Sequence, residues 1–180
     1  MKIFIIIFLY LYNLSFGQSI ADLDLKYGFK QFKFGITTKQ VSNIIKNKDQ
    51  WDKNPNISEY IYTGTDLKYL YDVKVKEISL TFYKNKLYSI IISFGSPFIE
   101  YTNSEYNLVQ YSLEKTFGTV WNSPSNETGQ IIKGSIWSGN KVTLEHLMLN
   151  FSKENGGNQK VGYVHLYENS IQKLRLKDEF

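Results

Sequence analysis

The chain has 180 residues, 42% apolar and 21% charged; these values fit one globular domain with a real core and exclude a disordered, collagen-like or coiled-coil chain. It has no cysteine, which excludes a disulfide framework, a thiol nucleophile, a cysteine-held zinc and a lipid-bearing cysteine. The net charge is +4, but Arg175 is the only arginine among 21 basic residues. Phosphate and base recognition lean on the planar guanidinium, so no nucleic-acid partner is expected.

Residues 1–17 read as a cleavable secretory signal: Lys2, an apolar run from Ile3 to Tyr12, then small residues at Ser15 and Gly17. Asn13, Ser15, Gly17 and Gln18 interrupt the run short of the ~20 apolar residues a spanning helix needs. A secreted or periplasmic protein follows, with no stable membrane insertion after cleavage and no lipobox cysteine. The excess of Lys, Asn, Ile and Tyr suggests an AT-rich, bacterial genome.

Residues 18–180 are expected to form a single α+β domain. Thr37 with Gln40 three residues on can form a capping box, and Val41, Ile44 and Ile45 follow at helical spacing, so a short helix is expected from about 37 to 49. Ile57 to Thr63 and Leu67 to Val75 read as strands around Gly64-Thr65-Asp66. Ile78, Leu80 and Phe82 alternate with polar residues, and so do Tyr88, Ile90, Ile92 and Phe94 beyond Lys84-Asn85-Lys86. For these two sets to share a face, Phe82 must oppose Tyr88 across a three-residue loop.

A second helix opens at Thr102 with Glu105 three later. It buries Tyr106, Val109, Leu113 and Phe117 and stops at Gly118 in the αL conformation. Residues 130–138, 141–151 and 160–168 then read as a three-stranded meander with turns at Gly139-Asn140 and Asn155-Gly156-Gly157, Trp137 lying opposite Val142. The expected fold is thus two short helices packed on one face of an antiparallel sheet, with a helix-then-strands unit present twice, in halves 35–95 and 100–168. The tail from Gln172 to Lys177 alternates charge with leucine and is open between a last strand and a short amphipathic piece.

The stretch Phe34-Gly35-Ile36-Thr37-Thr38-Lys39-Gln40-Val41 resembles the opening of SmpA/OmlA outer-membrane assembly lipoproteins and of β-lactamase-inhibitor-protein-like domains. That resemblance implies helices paired with an antiparallel sheet, in one copy or two, and action by binding proteins rather than by catalysis. The chain lacks the family's Leu-Gly-x-Pro after the helix.

Candidate chemistry is sparse. The only histidines, His146 and His165, fall in two strands of one hairpin. A turn at Asn155-Gly156 makes them cross-strand neighbours, able to share a metal ion, whereas a turn at Gly156-Gly157 pairs His165 with Met148. In either case Glu145 and Glu168 face away, so a third ligand is missing and no cofactor or metal is expected. No Gly-x-Ser-x-Gly elbow, phosphate-cradling glycine loop or evident carboxylate pair is present, so no catalytic residue is named. The most unusual feature is 14 Tyr and 12 Phe. Tyr60, Tyr62, Tyr69 and Tyr71 alternate along two strands read as neighbours and suggest an aromatic binding strip, with Trp51 as an exposed contact. The expected function is an exported, non-enzymatic binding domain. Its partner would be another protein, met through the open sheet face or loops 96–102 and 122–129. A carbohydrate- or peptidoglycan-binding module using the tyrosines is the alternative, and a small hydrolase a more distant one.

Overall fold

The computed structural model describes residues 19–50, 52–96, 99–150 and 159–178. The leader over 1–17, Trp51, the Asn155-Gly156-Gly157 turn and residues 97 and 98 of loop 96–102 lie outside the described residues.

The fold is α+β, built on a seven-stranded antiparallel sheet. Its strands are β3 (Ile44–Lys46), β4 (Ile57–Tyr62), β7 (Glu77–Tyr83), β8 (Lys86–Phe94), β9 (Ile131–Ser138), β10 (Val142–Asn150) and β11 (Lys160–Glu168), in the order β3-β4-β7-β8-β11-β10-β9. Read outward from the β8–β11 seam, each half is a meander whose last strand lies at the centre. The first half contributes four strands and the second three. Two small hairpins stand outside the sheet: β1 (Gly28–Phe29) with β2 (Phe32–Lys33), and β5 (Tyr69–Leu70) with β6 (Val73–Lys74).

One face of the sheet carries the core: Ile78, Leu80 and Phe82 on β7, Ile90, Ile92 and Phe94 on β8, Val164 and Leu166 on β11, Leu144 and Met148 on β10, and Trp137 on β9. Helix α2 (Asn103–Phe117) lays Tyr106, Val109, Leu113 and Phe117 on it, as the 3–4 spacing requires. Its capping box is formed, with the Glu105 N–H donating to the Thr102 hydroxyl at 3.2 Å and the Thr102 N–H to the Glu105 carboxylate at 2.8 Å. Gly118 ends it at φ 85°, ψ 171°, a positive φ but outside the αL basin. A short helix α1 (Ile20–Lys26), not foreseen in the sequence, fills the remaining corner with Leu23.

The expected helix over 37–49 is corrected. The Thr37/Gln40 box forms but supports only one 3₁₀ turn, Thr38–Gln40. The Thr38 N–H and hydroxyl are held by the Asn85 side chain at 3.2 and 2.9 Å, Asn43 turns the chain at φ 56°, and the β-branched Ile44 and Ile45 pair with Tyr62 and Ile61. Nor do all helices share one face. The tail forms α3 (Asn169–Lys177), and its Ile171 packs on Ile57, Tyr83 and Tyr88 on the opposite face.

The β7–β8 register is reached by another route than a three-residue loop. Lys84 and Asn85, at φ 48° and 62°, make a two-residue turn that pairs Phe82 with Leu87. A bulge then absorbs Tyr88, so that Leu80 meets Ile90 and Ile78 meets Ile92, as the apolar pattern demands. Leu87, not Tyr88, joins the core. Trp137 is fully buried but opposes Leu144 rather than Val142, because the turn lies at Asn140-Lys141, with the Gly139 N–H donating to the Val142 carbonyl at 2.9 Å.

Candidate functional site

The four tyrosines do not form a strip. Tyr60 and Tyr62 project from β4 into the core side, edge-on to Phe82 (5.5 Å) and Phe32 (5.0 Å). The Tyr62 hydroxyl donates to Asp66 at 2.5 Å, which raises its pKa and lowers that of Asp66. Tyr69 and Tyr71 belong to the separate β5–β6 hairpin, Tyr69 exposed and Tyr71 in its turn at φ 51°. The residues between 63 and 76 form that hairpin instead of a strand beside β4, so the two pairs never meet.

The histidines are not neighbours either. The β10–β11 register pairs His146 with Val164 and His165 with Glu145, which sets the two imidazoles on opposite faces, and Met148 pairs with Gly162. His146 is fully buried. Its Nδ1–H donates to the Gln110 carbonyl oxygen at 2.9 Å, its Nε2 accepts from the Tyr101 hydroxyl at 3.1 Å, and Tyr106 stacks on the ring at 4.2 Å. Burial lowers its pKa to about 3, and burial raises that of Tyr101.

His165 lies on the far face of the sheet and, contrary to expectation, Glu145 faces it. The Ser89 hydroxyl is 2.9 Å from His165 Nε2, the Glu145 carboxylate is 3.4 Å from Nδ1, and the Tyr167 hydroxyl donates to Glu145 at 3.3 Å. This chain has the order nucleophile, base, orienter across β8, β11 and β10. Ser89 is buried in a strand paired on both sides, opposite Thr81 on β7 and Tyr167 on β11. As a bond network it ties three strands together. Among the described residues no group of three His, Cys, Asp or Glu side chains converges as metal ligands.

Among the described residues, a largely apolar concavity lies on the core side, between α2, the sheet and the two small hairpins. It encloses about 330 Å³. Leu144, Val164 and Leu166 form its floor, Leu113 and Phe117 one wall, and Leu70 and Tyr71 the other. The lip is the α1–β1–β2 segment, which contributes Lys26, Phe29, Lys30 and Lys33. Lys26 Nζ stands 4.8 Å from the Phe117 ring centroid and Lys30 Nζ 5.8 Å from that of Phe29, while Lys33 Nζ donates to the Lys26 carbonyl at 2.9 Å. Gly28, at φ 136°, is required where the lip folds back, because a Cβ there would lie 2.1 Å from the Phe32 carbonyl oxygen. Such an arrangement, an apolar floor with a few polar groups at one edge, is that of a small-ligand site.

The sequence carried a signal for this lip in Lys26-Tyr27-Gly28-Phe29-Lys30-Gln31-Phe32-Lys33-Phe34, where lysines interleave with aromatics around a glycine. The floor had none, because its residues come from β10, β11 and α2 and read as ordinary core. Comparison with protein-family models, curated proteins and solved structures finds no match.

Proposed function

We propose that this chain is an exported, non-enzymatic binding domain and that the cavity under the lysine lip is where it binds. The observation that carries this reading is a concavity of about 330 Å³, at the small end of ligand sites (~300–1,000 Å³), floored by core side chains and opening beside a hairpin. Export rests on the leader-like pattern of residues 1–17. The glycan-binding alternative loses its basis once Tyr60 and Tyr62 point inward.

A neutral apolar fluorophore, phenylnaphthylamine, tests the reading directly. Saturable one-to-one enhancement is expected with the mature protein. Thr116→Trp places a large ring in the cavity from the α2 side and should weaken binding at least tenfold, with Tyr71→Trp doing the same from the opposite wall. A signal that never saturates, or that both variants leave untouched, refutes the site.

A second reading, a protein partner on the far face of the sheet, is favoured by one observation. Ile91, Leu147, Tyr163 and Tyr167 sit half-buried on adjacent strands there, and α3 packs at the distant end near Ile57 and Tyr83. Recovery of one stoichiometric protein from envelope extract, lost on Tyr163→Lys, would support it.

A further inference from the structure

We infer that the ligand of this cavity is a soluble single-chain amphiphile with an anionic head, a medium-chain carboxylate, a step that rests on the binding reading above. The first ground is charge. Lys26, Lys30 and Lys33 are the ionisable groups other than Tyr71 that line the cavity, no acidic side chain among the described residues lines it, and no described ion pair holds any of the three. Asp66 senses Lys30 but is itself engaged by Tyr62. Below the lip the lining is mostly apolar, the Thr116 hydroxyl there being spent on the Ser112 carbonyl. A ligand that satisfies both zones needs one charged end and one hydrocarbon end.

The second ground is shape and size. About 330 Å³ is at the small end of ligand sites and suits a single hydrocarbon tail of medium length. Lys30 and Tyr71 line the cavity from the two-residue turns of facing hairpins, where the turn itself requires their positive φ. Lysine suits the head because its flexible stem can follow a carboxylate that varies in depth, whereas a rigid bidentate fork would fix one.

Displacement of phenylnaphthylamine by three ligands of equal tail length separates the terms: decanoate, decanol and decyltrimethylammonium, each below its micelle concentration. Decanoate is expected to displace at a concentration at least tenfold lower than decanol, and the cation to be the weakest. From hexanoate to decanoate, affinity should rise about fourfold per methylene and then level off once the cavity is full. In the triple variant Lys26→Gln, Lys30→Gln, Lys33→Gln the ratio of decanoate to decanol should collapse towards one, decanol acting as the internal control for an intact cavity. Equal displacement by decanoate and decanol in the unmodified protein overturns the anionic head and leaves the binding site standing. Failure of the fluorophore to bind removes the site itself, a different result. Sedimentation with phosphatidylglycerol vesicles, without displacement by decanoate, overturns the soluble ligand in favour of a membrane surface.

Discussion

His146 is the side chain whose surroundings most constrain its protonation. Its two ring nitrogens are spent on Gln110 and Tyr101, and Tyr106 covers the ring, so a proton added there would be charged and dry. With the folded pKa near 3 and the unfolded one near 6.5, only the unfolded chain takes up a proton between those values. Stability from this group is complete above pH 6.5 and is lost as pH falls. Between pH 7 and pH 5 the loss should be about 2 kcal/mol. Urea unfolding of the native protein and of His146→Gln at both pH values measures it; the variant, lower in stability at pH 7, should show a slope shallower by that amount. Equal slopes would mean that the imidazole titrates in the folded state.

At this same scale lies the reason the histidines could not be placed from sequence. Whether residues 146 and 165 share a face depends on the parity of the β10–β11 pairing, and one residue more or less in the connection inverts it. Reading 141–151 and 160–168 as strands does not fix the number of residues in the turn between them. The β7–β8 hairpin shows the same limit from the other side. There the face pattern specified Leu80 against Ile90, and the chain met it with a two-residue turn plus a bulge at Tyr88.

Among the elements, α2 and the three-stranded meander were legible because each is long and its period is clean. The segment 37–49 was not, because a capping box is a signal for a helical start and says nothing about continuation. The side chains that decide continuation, Asn85 and the edge of β4, are remote in sequence. Helix α1 shows the opposite case. Seven residues are too few to be helical alone, and α1 is held by contacts at long range. The Asp24 carboxylate accepts from the N–H groups of Asn140, Lys141 and Val142 at 2.8, 2.9 and 3.0 Å, tying α1 to the β9–β10 turn. Charge-assisted bonds of this kind make Asp24→Ala cost about 2 kcal/mol. Because α1 leads into the lip, the same variant should weaken phenylnaphthylamine binding several-fold while leaving the sheet formed. Chemical denaturation and the fluorophore titration read the two effects separately. A loss of stability with unchanged binding would show that the lip is held by β1 and β2 alone.

For the molecule as a whole, the sheet divides the chemistry between its faces. The cavity is built from Leu144, Val164 and Leu166 on one side; the Ser89–His165–Glu145–Tyr167 chain and α3 are on the other. The class of fold could be read in the sequence, since it follows from strand patterning. Which face stays open could not, because it turns on where the tail packs. That tail is attached lightly. None of the side chains of α3 is fully buried; it is fixed by Ile171 against Tyr83 and Tyr88, by Arg175 to Asp52 at 3.3 Å, and by Asp178 to Tyr83 and Lys84. Exposed and half-exposed ion pairs contribute little, so ending the chain after Asn169 should cost only about 1–2 kcal/mol, mostly from the apolar contact of Ile171. Asn169 must be kept, because its side chain bonds Thr143, Gly139 and Asn140 and so steadies the turn that Asp24 also grips. The truncated protein should bind phenylnaphthylamine as the full chain does, since a whole sheet separates α3 from the cavity. If binding falls together with the tail, the two faces are coupled through β11, the strand that carries both Val164 towards the cavity and His165 away from it.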